Sequence, residues 1–155
     1  MITDTITQKI GEALKAHDEI RLSTLRLLSS AFNYEFIAKQ HKLSEDEELV
    51  VVRREAKKRK EAIEIYEKLE NSKNLNIQER IQREKEELKI LQTFLPPEIS
   101  EDEIAKLVDE AIKETGATSI KDMGKVIGPV KQKTKGAADG AKVASMVRQK
   151  LVSSH

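Results

Sequence analysis

The sequence predicts an all-α fold, with an N-terminal helical subdomain of longer helices and a small three-helix C-terminal subdomain. Three observations carry this prediction. Apolar residues recur at three- and four-residue spacing through most of the 155 residues. Serine-led capping boxes stand at Ser44 and Ser100, each opening such a stretch. Aromatics make up only 3% with no tryptophan, so the core must be built from Leu, Ile, Val and Ala on helices.

Taken in order, Ile2, Ile6, Ile10 and Leu14 recur every four residues and draw one stripe along a first helix, weakened locally by Gly11. In the second helix Leu22, Leu25, Leu28, Phe32 and Phe36 form a broad face, as expected for a helix held between neighbours. The third starts at Ser44-Glu45-Asp46-Glu47 and carries Leu49, Val52, Ala56, Ile63 and Tyr66 on one side. Glu55 to Arg59 and Glu64 to Lys68 are favourably oriented four-residue pairs on it. Asn71-Ser72-Lys73-Asn74 reads as a loop, and Ile77, Ile81, Leu88, Leu91 and Leu95 mark a fourth helix. The run LVVV at 49–52 is β-branched, but it is short and embedded in a capped helix.

Pro96-Pro97 stops the fourth helix, because proline has no N–H to give and pushes the preceding residue out of the α region. This sets the domain boundary: residues 1–95 form the N-terminal subdomain and residues 98–155 the C-terminal one. After the second capping box, Ile104, Leu107, Val108, Ala111 and Ile112 form a helix closed by Gly116. A further helix is expected from about Ser119 to Ile127, stopped by Gly128-Pro129. A last one carries Val143, Val147 and Leu151, with Asp139 placed to cap it.

Composition excludes several functions. There is no cysteine, hence no disulfide framework, thiolate nucleophile or Cys-ligated zinc. The N-terminus has no apolar stretch of signal-peptide length and no run approaches membrane-spanning length, so a soluble cytoplasmic protein with no membrane partner is expected. The three histidines, His17, His41 and His155, fall in turns or at the end of the chain, with no Ser, Cys or carboxylate at triad or metal spacing. Glu84, Glu86 and Glu87 are interleaved with Arg83 and Lys85, as on a solvated helix face. No phosphate-binding loop or dinucleotide fingerprint is present. No catalytic residue, metal or cofactor is therefore expected.

Two basic features remain on a chain whose net charge is only +1. The run from Arg53 to Lys60 sums to +5, with Arg54, Lys57 and Lys58 pointing away from the apolar stripe. Arg59 falls inside that stripe, so it must snorkel out or meet a carboxylate. From Lys121 onward the chain sums to +6, leaving −5 for the rest, an asymmetry that points to a polyanion. Gly124, Gly128, Gly136 and Gly140 would let backbone come close to phosphate, and no aromatic is present there for base stacking. Lys131, Lys133 and Lys135 share one side if the segment is extended, but spread by about 200° per step if it is helical. The glycines and Gly128-Pro129 favour the extended form. For both features the competing reading is a solvated surface.

The stretches RLSTLRLLSSAFNYEFIAK, LVVVRREAKKRKEAIEIYEK, EELKILQTFLPPEISEDEI and ATSIKDMGKVIGPVKQKTKGAADGAKV together resemble the GatB/YqeY family, in the family's order and over nearly the whole chain. The junction and the C-terminal stretch are the most specific. The resemblance implies the all-α tail of the B subunit of the tRNA-dependent amidotransferase, a module also fused to some glutaminyl-tRNA synthetases. There it contacts tRNA away from the reaction centre. The kinase-like cradle is missing here, so a label of carbon–nitrogen ligase with glutamine as amido-N-donor would describe the parent complex. By position, Lys125 and the Lys133-Lys135-Gly136…Asp139-Gly140 loop match the tail's candidate tRNA-backbone contacts. Ala137 stands where members often carry a basic residue, which implies one phosphate contact fewer.

The expected function is thus a tRNA-binding accessory module without catalysis of its own. Its site would be Lys125, Lys131, Lys133, Lys135, Gly136, Gly140 and Lys142, joined by Arg54, Lys57 and Lys58. Its partners would be the tRNA phosphate backbone and a translation enzyme, either an aminoacyl-tRNA synthetase or an amidotransferase subunit. The alternative is a protein-interaction adaptor working through the C-terminal helices, and a stand-alone amidotransferase ranks third. Salt dependence separates the first two, because only lysine–phosphate contacts weaken steeply with salt.

Overall fold

The computed structural model describes residues 1–134 and 137–153. Its described residues form seven α-helices with no strand: α1 (Ile2–Lys15), α2 (Glu19–Lys39), α3 (Glu45–Glu67), α4 (Leu75–Gln92), α5 (Glu101–Thr115), α6 (Met123–Thr134) and α7 (Gly140–Ser153), with a 3-10 turn at Ile120–Asp122. Two compact units result, Met1–Leu95 and Pro96–His155. Among the described residues no helix is long and apolar enough to cross a membrane.

The first unit is organised by its caps. Asp18 accepts the Arg21 N–H at 3.0 Å and starts α2. At Ser44 both halves of the capping box form, with Glu47 N–H to the Ser44 hydroxyl at 3.3 Å and Ser44 N–H to the Glu47 carboxylate at 2.9 Å. Asn74 caps α4 after a short loop that folds it back along α3, so that Tyr66 meets Arg80 and Glu67 meets Lys85. Leu28, Phe32, Val51, Val52, Ala56 and Leu91 close the core, with Ile6 reaching in from α1. Leu14 stands half exposed, although it continues the every-four stripe of α1. Four residues advance a helix by about 40° beyond a full turn, so three such steps carry Leu14 off the buried side and bring Ala13 onto it. Phe36, in the last turn of α2, is also half exposed.

Arg59 is buried, as its place in the apolar stripe requires, and meets carboxylates on two helices: Glu55 at 2.8 Å and Glu87 at 3.3 Å. Glu87 therefore does not belong to a solvated face. It lies in the α3–α4 seam and also takes Arg83 at 3.5 Å. Glu48 is a third buried acid, beside Glu55 and Glu87; it accepts the backbone N–H groups of Ile2 and Thr3 and the Thr3 hydroxyl, and so caps α1 from α3. Glu64 and Lys68 form no ion pair among the described residues, while Lys57 and Glu61 approach to 3.9 Å.

The second unit buries Ile104, Val108, Ala111, Val126, Val130, Val143, Val147 and Leu151 together. Ser100 accepts the Glu103 N–H at 3.2 Å, but the reciprocal half of that capping box is absent among the described residues. Gly116, at φ +66°, closes α5 in the left-handed conformation that glycine adopts without strain. Helix α6 does not stop at Gly128-Pro129; it runs through to Thr134. A proline normally excludes the α conformation of the residue before it by striking that residue's Cβ, and Gly128 has none. Asp139 does cap α7, its carboxylate accepting the Ala141 N–H at 3.1 Å.

Candidate nucleic-acid interface

The basic run of α3 is matched by acids. Arg54 sends both guanidinium nitrogens to Glu35 at 3.1 Å, Lys58 meets Glu55 at 2.9 Å, and Lys57 stands 3.9 Å from Glu61. All three remain exposed at their tips, yet each charge already has a carboxylate partner, which weakens the pull of this face on a polyanion. The first unit as a whole carries no net charge.

In the second unit the helical form of residues 131–134 removes the shared lysine rim. Lys131 and Lys133 lie two residues apart on α6, hence about 200° around it. Lys133 turns toward α5 and is held by Glu114 at 3.3 Å and Glu110 at 3.6 Å. Lys150 is drawn the same way, to Asp109 at 2.5 Å and the Ala105 carbonyl at 3.1 Å. Lys131 points to the other side, its Cε 3.6 Å from where a Gly140 side chain would begin. Lys135 and Gly136 lie outside the described residues.

Around the rest of α6 the helical repeat spreads Lys131, Gly124, Gly128 and Lys125 over an arc of about 120°, with Lys125 at the edge about 80° from Lys133, and the preceding turn adds Lys121. All are exposed, and the space above Gly124 and Gly128 is open, with nothing within 4 Å of an added Cβ. The Gly128 N–H belongs to the helix ladder and is not available to a phosphate, so this glycine offers close approach rather than a donor. Lys125 faces Asp122 at 3.9 Å. That acid is already committed, because the Thr118 and Ser119 backbone N–H groups bind it at 3.0 and 3.3 Å and hold its carboxyl below the ordinary value. Lys142 stands exposed in the first turn of α7, two residues beyond Gly140.

The geometry thus sets Lys131 beside Gly140, leaves Lys125 about 120° round α6 from Lys131, draws Lys133 to the acids of α5, and adds Lys121, while Lys142 stands exposed on α7. The spacing 121, 124, 125, 128, 131 was present in the sequence, but it becomes one face only if the helix passes Pro129. Among the described residues no group of three or more His, Asp or Glu is placed to hold a metal. His41 contacts the Lys42 carbonyl at 2.9 Å and Glu47 at 3.5 Å, both on the surface.

The described residues define an all-α protein of seven helices in two units. Residues 3–151 match the family described as Yqey-like protein, and the chain belongs to that family. Among curated proteins, none matches it.

Proposed function

We propose that the protein is a tRNA-binding accessory module that acts beside a translation enzyme and has no catalysis of its own. The observation that carries this reading is the surface of α6 and the turn before it, where Lys121, Lys125 and Lys131 flank the two uncovered glycines while the acids of α5 occupy Lys133 and Lys150. Spaced cations over bare backbone, with no aromatic to stack a base, suit a sugar–phosphate strand rather than base edges. Membership of the YqeY-like family supports the reading through the resemblance to the amidotransferase tail. The lack of cysteine and the surface engagement of His41 support its non-catalytic part.

Binding of unacylated, fluorescently labelled tRNA, followed by anisotropy over a range of salt, tests the reading. With three to four lysines on phosphates, log affinity should fall against log salt with a slope of about −2 to −4. A salt-independent signal, or none, would count against it. Supplied with aminoacyl-tRNA, ATP and glutamine, the purified chain should form no amide. Turnover that survives stringent purification and vanishes on one point substitution would refute that part.

A further inference from the structure

Beyond RNA binding, we propose that the second unit carries a docking hollow for an acidic, amphipathic segment of a protein partner, between the 3-10 turn and the end of α7. The hollow is open-sided, has a volume of about 390 Å³, and is lined by Ser119, Ile120, Lys121, Leu151 and Val152. Leu151 is fully buried and forms its floor, while Ile120 and Val152 stand 50% and 53% exposed at its walls. Two aliphatic side chains held beside a buried third present a concave apolar surface, the kind of site that receives one ridge of a helix or an extended peptide.

Charge complementarity selects the occupant. Lys121 belongs to the lining, and Arg148 lies one helical turn before Val152 on the same face of α7. Neither has an ion pair among the described residues. With these two cations at its rim, carboxylates flanking the inserted aliphatic side chain are favoured and a basic segment is repelled. Nucleic acid fits the hollow poorly. Ile, Leu and Val give phosphate nothing, and no aromatic stands there for a base. Lys121 marks the border with the lysine–glycine face of α6, so one module could hold a tRNA and its enzyme on adjoining surfaces.

A photo-crosslinking residue placed at Val152 of the full chain, expressed in the cells that make the protein, tests this directly. Mass spectrometry should return one protein segment in which aliphatic residues lie within a helical turn of Asp or Glu. A synthetic copy of that segment, titrated into methyl-labelled full chain, should shift the Ile120, Leu151 and Val152 methyl resonances. Ile120→Glu and Val152→Glu should weaken it about tenfold or more, as loss of an apolar anchor does, whereas Val152→Ile should not. Both positions are half exposed, and circular dichroism will verify that the variants stay folded. Crosslinks only to nucleic acid, to a second copy of this chain, or to scattered unrelated peptides would overturn the proposal. So would an absence of crosslinks, or methyl resonances that do not move.

Discussion

Arg59 shows how much one buried charge decides in this chain. At 8% exposure its guanidinium sits between the Glu55 and Glu87 carboxylates, with Lys58 and Arg83 closing the network at its rim. Arg59→Ala removes the buried cation that the two acids share and leaves Glu55 only Lys58 and Glu87 only Arg83, so unfolding in urea should show a loss towards the lower end of about 3–5 kcal/mol. An Arg59→Ala variant within the scatter of surface substitutions would contradict this. The network also gives stability a pH dependence. Burial alone pushes Glu55 up, but the hydrogen bonds from Lys58 and Arg59 outweigh it and hold its carboxyl below the ordinary 4.5. A depressed acid stabilises the fold fully above its unfolded value and loses that contribution as pH falls through the folded one. Stability should therefore decline below about pH 4.5, and less steeply in Glu55→Gln. Glu84 works in the opposite sense, since burial and then the neighbouring Glu87 raise it. Half of this network was legible in the sequence. Arg59 inside an apolar stripe demands a partner, and Glu55 lies one turn away. Glu87 and Glu48 hid among charged neighbours, although each sits four residues before a buried apolar residue, Leu91 and Val52 respectively. Their places on the buried stripes of α3 and α4 mark them as the same kind of place marks Arg59.

The helices were legible wherever an end is made by a local chemical group. Asp18, Ser44, Asn74, Ser100 and Asp139 each receive a backbone N–H near the start of their helix. Ser44→Ala should cost about 1 kcal/mol in a thermal melt, since its box has both halves. The exception is α6. The dipeptide Gly128-Pro129 reads as a stop, yet burial of Val126 and Val130 on either side of it keeps the helix going. Tertiary packing outweighs the local cost of proline, which reaches about 3 kcal/mol in a helix interior. Pro129→Ala should thus raise the melting temperature by relieving part of that cost. If the melting temperature falls, the α6 described above is wrong, and the extended loop read from the sequence returns. The two forms place the lysines differently, so this variant also bears on the site.

Across the whole molecule, charge is arranged by segment rather than in total. The first unit sums to zero, residues 98–120 carry −5, and residues 121–155 carry +6. The asymmetry was visible in the sequence; which lysines it leaves available was not, because that depends on the acids of α5 reaching across to Lys133 and Lys150. The central claim is that the phosphate-binding face is the Lys121–Lys125–Lys131 side of α6, and that Lys133 is not part of it. Comparing the salt dependence of tRNA binding for three proteins tests it: the wild type, the Lys121→Ala/Lys125→Ala/Lys131→Ala variant, and Lys133→Ala. All four side chains are exposed or at the edge of exposure, so each substitution should cost less than about 0.5 kcal/mol of stability. The triple variant should lower the slope of log affinity against log salt by about two to three units, with Lys133→Ala leaving it nearly unchanged. A triple variant with the wild-type slope, or a Lys133→Ala variant that loses as much as the triple, would contradict the account.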